Sequence, residues 1–172
     1  MDKWQITLRV EGIRREILQI REANRNYKAH TTHHVTTRTQ EVHPNRMAKT
    51  ILIADDSDVV RRAVCEAFAL ESDFEVCGEA HDGHDAIEKA QRLHPDLIIL
   101  DLSMPVMNGL DAARALRDLL VPPVPIILFT LYGDVIVEER ARSAGVADVV
   151  SKSEHISVLI DAARHLLYRN AA

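Results

Sequence analysis

Five polar residues of this chain each follow an apolar run, and their types act together on phosphate and divalent cations. Asp55 and Asp56 follow Ile51-Leu52-Ile53-Ala54, and Asp101 follows Leu97-Ile98-Ile99-Leu100. Thr130 follows Ile126-Ile127-Leu128-Phe129, and Lys152 stands just past Val149-Val150. Three carboxylates brought together repel one another and raise one another's pKa, an arrangement that a hard cation such as Mg²⁺ makes tolerable through oxygen ligands and water. Lys152 would then neutralise an incoming phosphoryl group as a point charge, Thr130 would offer a hydroxyl donor to its oxygens, and Asp101 would be left as the nucleophile. Taken singly these residues are ordinary strand ends, helix caps or solvated charges, so the chemistry depends on whether the intervening chain collects them in one place.

The elements between them meet that condition. Each apolar run is short and buried in character, as strands of a parallel sheet are. Ser57 or Asp58 caps a helix whose Val59, Val60, Ala63, Val64, Ala67 and Phe68 form one apolar stripe. A second strand is expected over Phe74–Ala80 and a second helix over 85–93, then the strand before Asp101 and a third helix over 110–120. Met104-Pro105 and Asn108-Gly109 make the segment after Asp101 a loop, with Asn-Gly read as a turn tolerant of positive φ. Pro122, Pro123 and Pro125 separate the third helix from the fourth strand. A fourth helix over 135–144 stops at Gly145, a fifth strand covers 147–150, and a last helix runs over 155–168. Five strands alternating with five helices predict an α/β fold: a flavodoxin-like (βα)5 doubly wound parallel sheet of order 2-1-3-4-5. The carboxyl ends of such strands share one edge, where working residues collect.

Charge divides the chain into a head and a body. Residues 1–48 carry nine Lys/Arg against five Asp/Glu, about +4, whereas 49–172 carry twelve against twenty-one, about −9. The acidic body argues against direct nucleic-acid binding. No apolar run approaches the roughly 20 residues of a membrane span, and the N-terminus lacks the apolar core of a signal peptide, so the expected location is the cytoplasm. Cys65 and Cys77 lack metal-type spacing and are expected to be reduced core residues. Residues 11–27 suggest one marginal amphipathic helix, and 29–46 a polar connector. Its His30, His33, His34 and His43 lack the scaffold and carboxylates of a metal site. Residues 1–48 thus read as a basic extension, of which 1–46 are functional or the product of a misplaced start codon, and 49–172 as the globular domain. His81, His84 and His94 are expected at the surface or at helix ends.

The set Asp55-Asp56, Asp101-Leu-Ser-Met-Pro-Val-Met-Asn-Gly109, Thr130 and Lys152 resembles the receiver domain of two-component response regulators, over residues 49–172. The resemblance implies that Asp101 accepts a phosphoryl group from a phosphohistidine on a sensor histidine kinase or phosphotransfer protein, with Asp101, Thr130 and Lys152 as the reacting set. It implies Mg²⁺ held by Asp56 and Asp101 directly, by Asp55 directly or through water, and by the main-chain carbonyl of Ser103. It further implies a switch in which Thr130 moves toward the phosphate and the fourth helix, fifth strand and fifth helix present a changed face to a downstream protein partner. Departures from the family pattern fall in that switch. Val149 stands where many members carry an aromatic residue, Leu131 is larger than the alanine often found there and would narrow phosphate access, and Ser153 replaces a proline. Ser103 and Tyr132 resemble the family positions that tune phosphoryl lifetime.

Ser151-Lys152-Ser153-Glu154 is similar to receivers that precede helix-turn-helix domains, yet only Arg169-Asn170-Ala171-Ala172 follow Tyr168. The expectation is therefore a stand-alone receiver, a phosphoacceptor and not an enzyme acting on a separate substrate, with homodimerisation open. The alternative from another class is a pseudo-receiver that binds partners with an inert site. An aspartyl phosphatase ranks last, because Ser103 stands where that chemistry wants a second carboxylate as general acid.

Overall fold

The computed structural model describes residues 47–131 and 135–168, together with Glu11, Gly12, Arg15, Leu18, Gln19 and Glu22, which are helical. The remainder of the expected 11–27 helix, the 29–46 connector with its four histidines, and Tyr132 lie outside the described residues. Among the described residues, strands and helices alternate as β1 (Lys49–Ala54), α1 (Asp58–Phe68), β2 (Phe74–Ala80), α2 (Gly83–Leu93), β3 (Leu97–Leu100), α3 (Gly109–Leu119), β4 (Ile126–Thr130), α4 (Val135–Ser143), β5 (Asp148–Ser151) and α5 (Ile156–Tyr168). The strands pair in parallel in the order β2-β1-β3-β4-β5, the flavodoxin-like arrangement expected.

Alternation along the strands builds two cores, one on each face. Ile51, Ile53, Ile99, Ile127 and Phe129 point to the side covered by α1 and α5, where Val64, Phe68, Leu159 and Ile160 pack. Leu52, Ala54, Ile98, Leu100 and Leu128 point to the side covered by α2, α3 and α4, where Ala86, Ala90, Leu116 and Ala141 pack. Because both faces are covered, β3 and β4 are buried throughout, and their uninterrupted apolar sequence follows.

Helix starts carry the polar cues. Ser57 caps α1, and its Oγ accepts from the Val60 N–H; Asp82 caps α2, accepting from Asp85 at 2.9 Å. That cap begins α2 at Gly83, two residues ahead of the expected 85. Asn108 caps α3, its Oδ1 accepting from the Asp111 N–H at 3.0 Å, and Gly109 is the first helical residue. The Asn-Gly pair is therefore a cap and a helix start, not the expected turn. The positive φ of this loop falls instead on Val106, at 64°. Gly145, with φ 85°, ends α4 as expected. His94 caps the C-terminus of α2, while His81 and His84 are exposed. Among the described residues no helix is long and apolar enough to cross a membrane.

Candidate functional site

Register explains why distant carboxylates meet. Ala54 pairs with Leu100 across β1 and β3, so Asp55 and Asp101 emerge side by side, and the Asp101 N–H donates to the Ala54 carbonyl at 2.8 Å. Leu100 pairs with Leu128 and Thr130 with Ser151, which brings Lys152 to the same edge; its N–H donates to the Thr130 carbonyl at 2.7 Å. The site is thus a product of strand ends: Asp55, Asp101 and Lys152 are one residue past a paired position, Thr130 is at one, and Asp56 is two past.

Lys152 Nζ lies 2.6 Å from Asp55 Oδ2 and 2.8 Å from Asp101 Oδ1. All three side chains are buried, and the ammonium also sits 5.8 Å from the centre of the Phe129 ring. The remaining oxygens are held by main chain: Ser57 N–H donates to Asp55 Oδ1 at 2.9 Å, and Ser103 N–H to Asp101 Oδ2 at 3.1 Å. Asp56 is exposed at the rim, and one oxygen from each of Asp55, Asp56 and Asp101 falls within a span of 4.8 Å. Thr130 is fully buried at the end of β4. Leu131, next along the chain, is half-buried. Val149, half-buried in β5, pairs with Leu128 and packs into the core beneath α4.

Electrostatics of the cluster are those of an acidic site with too little positive charge. Burial pushes the Asp55 carboxyl up to about 6, against the pull of Lys152 and with a further push from Asp101. Asp56 is also raised, by its partial burial first and then by Asp101. Burial alone would lower the Lys152 ammonium, but Asp55 and Asp101 outweigh it and hold the group above the usual lysine range. Three carboxylates against one ammonium leave the recess short of cationic charge. Their oxygens are hard donors a few ångströms apart, so the donor set fits a small divalent ion such as Mg²⁺.

Several residues that hold the site were not singled out by sequence. Arg61 donates to the Asp55 carbonyl at 2.8 Å while its other nitrogens reach Asp58 and Glu79 at 2.6 and 2.9 Å, which braces the β1–α1 turn. Gly109 lies against the main chain of Asp101, and a Cβ there would strike the Asp101 carbonyl. Only the Asn108-Gly109 pair hinted at it. Met104 is buried and Met107 half-buried in the core beneath α2 and α3, and Gly83 N–H donates to the Met107 carbonyl at 3.1 Å, tying the loop after Asp101 to the start of α2. The two cysteines are free and half-buried. Burial pushes the Cys65 thiol up to about 11 and raises Cys77 as well, which leaves both poor nucleophiles.

A family model described as "Response regulator receiver domain" matches residues 51–164. The chain belongs to the response regulator receiver family of two-component systems, in which phosphorylation and Mg²⁺ binding are typical. It is similar to protein-glutamate methylesterase/protein-glutamine glutaminase 1 of Methanosarcina acetivorans, at 40% identity over 105 residues, which are 60% of this chain and 30% of that protein. The chain thus spans under a third of the length of such curated relatives. Among solved structures it is similar to the response regulator domain of Thermotoga maritima CheB, at 27% identity and TM-score 0.60 over 72% of this chain and 93% of that one. It is also similar to a DNA-binding response regulator of the LuxR family from Staphylococcus aureus, at 26% identity and TM-score 0.65 over 69% of this chain and 98% of that one.

Proposed function

We propose that this chain is a phosphorylation switch of the cytoplasm, in which Asp101 takes a phosphoryl group from a phosphohistidine on a sensor kinase or phosphotransfer protein. The observation that carries the reading is the placement of Asp101, recessed at 5% exposure, in contact with Lys152 and beside two further carboxylates. In the transfer an Asp101 oxygen bonds to phosphorus as the donor's P–N bond breaks; the electron pair stays on the imidazole nitrogen, and an acyl phosphate results. Asp55, Asp56 and Asp101, with the Ser103 carbonyl, would hold Mg²⁺, whose chemistry is charge neutralisation on the phosphoryl oxygens. Lys152 supplies the complementary positive charge, and the main-chain N–H of Ser103 keeps Asp101 oriented.

The same reading gives Thr130 the role of following the phosphoryl group with its hydroxyl, with the α4, β5 and α5 face changing its contacts with a downstream partner. Val149 leaves that coupling without an aromatic partner, and Leu131 and Tyr132 govern access to the acyl phosphate. Residues 49–172 form the receiver, and 1–48 a separate basic extension.

The test is incubation of the purified chain with Mg²⁺ and acetyl phosphate, followed by intact mass, beside Asp101→Asn. A hydroxylamine-labile phosphoryl adduct on the parent alone supports the reading. A folded parent that takes no adduct and does not bind Mg²⁺ in calorimetry would instead favour a pseudo-receiver that works through binding alone.

A further inference from the structure

A cleft of about 530 Å³ opens between the end of α2 and the connection from α3 to β4. Asp96 and Pro125, which line it, immediately precede β3 and β4, so it lies at the amino edge of the sheet, opposite the edge that carries Asp101. Its walls are largely apolar: Pro95 before β3, and Leu119, Val121, Pro122 and Val124 before β4. Leu119 is 51% and Val121 91% exposed, an apolar surface that the described residues leave uncovered. The N-terminal extension joins the domain at the lip of this cleft. Lys49, the first residue of β1, pairs with Asp96 at 2.7 Å, and Asp96 also accepts from the Thr50 N–H at 2.9 Å.

The extension carries a matching apolar stripe in its sequence. Glu11, Arg15, Leu18, Gln19 and Glu22 are helical and exposed, and helical spacing gathers them on one face. The same spacing assigns Ile13, Ile17 and Ile20 to the opposite face. One short amphipathic helix is marginal in water by itself and draws its stability from a surface that receives its apolar side. The cleft is within easy reach: a polar linker as long as residues 23–48, 26 residues, has a root-mean-square span of about 28 Å. Tethering also gives the chain's own helix an effective concentration that a separate partner lacks. Charge favours the same pairing, because residues 1–48 carry about +4 and 49–172 about −9. We propose that the amino-edge cleft is the docking site of the chain's own N-terminal helix, which lays Ile13, Ile17 and Ile20 against Leu119, Val121 and Pro122. The contact is a helix seated in an apolar groove. It is independent of phosphoryl chemistry at Asp101, which belongs to the other end of the sheet.

The experiment uses the full chain and reads docking in two ways. Amide hydrogen exchange over residues 13–20 is compared between the parent and a double variant, Leu119→Lys with Val121→Lys, at two exposed positions where the fold tolerates a charge. Ile136→Asp, at an exposed apolar position in the first turn of α4, is the control. The expected result is exchange at least tenfold faster in the double variant than in the parent, with the control matching the parent and with β1, β3 and β4 equally protected in all three. Separately, the photocrosslinker p-benzoylphenylalanine replaces Arg21 beside the apolar stripe, and a mixture of ordinary and nitrogen-15-labelled chains is irradiated and mapped by mass. Crosslinks within one chain to residues 91–96 or 119–125 are expected. Equal exchange over 13–20 in the parent and the double variant would overturn the assignment, as would crosslinks to any other part of the domain. Crosslinks that join an ordinary to a labelled chain would overturn it in favour of a second copy as the occupant. If the double variant loses its fold, the crosslink map, made on an intact cleft, decides by the same outcomes.

Discussion

Asp55 and Asp101 share one ammonium: Lys152 Nζ lies 2.6 Å from the first and 2.8 Å from the second, with all three groups buried. Two buried carboxylates on adjacent strands are tolerable in the cation-free protein because that ammonium bridges them. This makes Lys152 a structural counter-charge and, in the proposed function, the group that would meet a phosphoryl oxygen.

Lys152→Met should therefore uncover the repulsion. Removing one partner of a buried ion pair costs about 3–5 kcal/mol when nothing replaces it. The variant should lose about that much stability without divalent ions and recover part of it when Mg²⁺ is added, while acetyl phosphate labelling slows by at least tenfold. Urea melts with and without Mg²⁺ check this; a melt that Mg²⁺ does not move would count against the shared-charge account.

Asp55 gives a pH dependence whose sign can be worked out. Its pKa is raised in the folded chain, to about 6 from 3.8, chiefly by burial. Between those values the folded state binds more protons than the unfolded one, so this group's contribution to stability falls as pH rises through that window. Asp55→Asn should flatten that part of the profile. At pH 7 and without Mg²⁺ it should raise the Tm by roughly 2–6 °C. Thermal melts across pH 4–8 test it, and a lower Tm for the variant at pH 7 would refute it.

At Gly109 two local effects oppose each other. Helix propensity alone predicts that Gly109→Ala stabilises α3 by about 1 kcal/mol. The close approach of Asp101 main chain predicts the opposite, since the new Cβ would strike the Asp101 carbonyl and press on Leu102. We expect the clash to win by on the order of 2 kcal/mol and to slow phosphoryl uptake by displacing Asp101. A lower urea midpoint at unchanged m-value is the predicted result.

The fold was legible because β1, β3 and β4 are buried on both faces and so are written as continuous apolar runs, while α1 carries its stripe at helical spacing. The acidic cluster was legible for the same reason: in a parallel sheet a polar residue just past such a run can only emerge at the carboxyl edge. What sequence did not show depends on tertiary distance. Asn108-Gly109 has the local signature of a turn, and only the packing of α3 against the Asp101 main chain makes the glycine a spacer. Val106 is invisible to propensity, which argues against positive φ for a β-branched residue; the two methionine anchors override it. Arg61 reads as one more charge on an exposed face until the β1–α1 turn brings the Asp55 carbonyl and Glu79 to it.

The central claim is that Asp101 carries the phosphoryl group, and reductive trapping addresses it most directly. The chain is loaded with acetyl phosphate and Mg²⁺ and treated with borohydride, which reduces an acyl phosphate to the alcohol, and the digested peptides are mapped by mass. The account predicts homoserine at position 101, dependent on the phosphodonor and on Mg²⁺, with Asp55 and Asp56 unchanged. Reduction at Asp55 or Asp56, or a stable phosphoryl group on a hydroxyl residue with Asp101 intact, would contradict it.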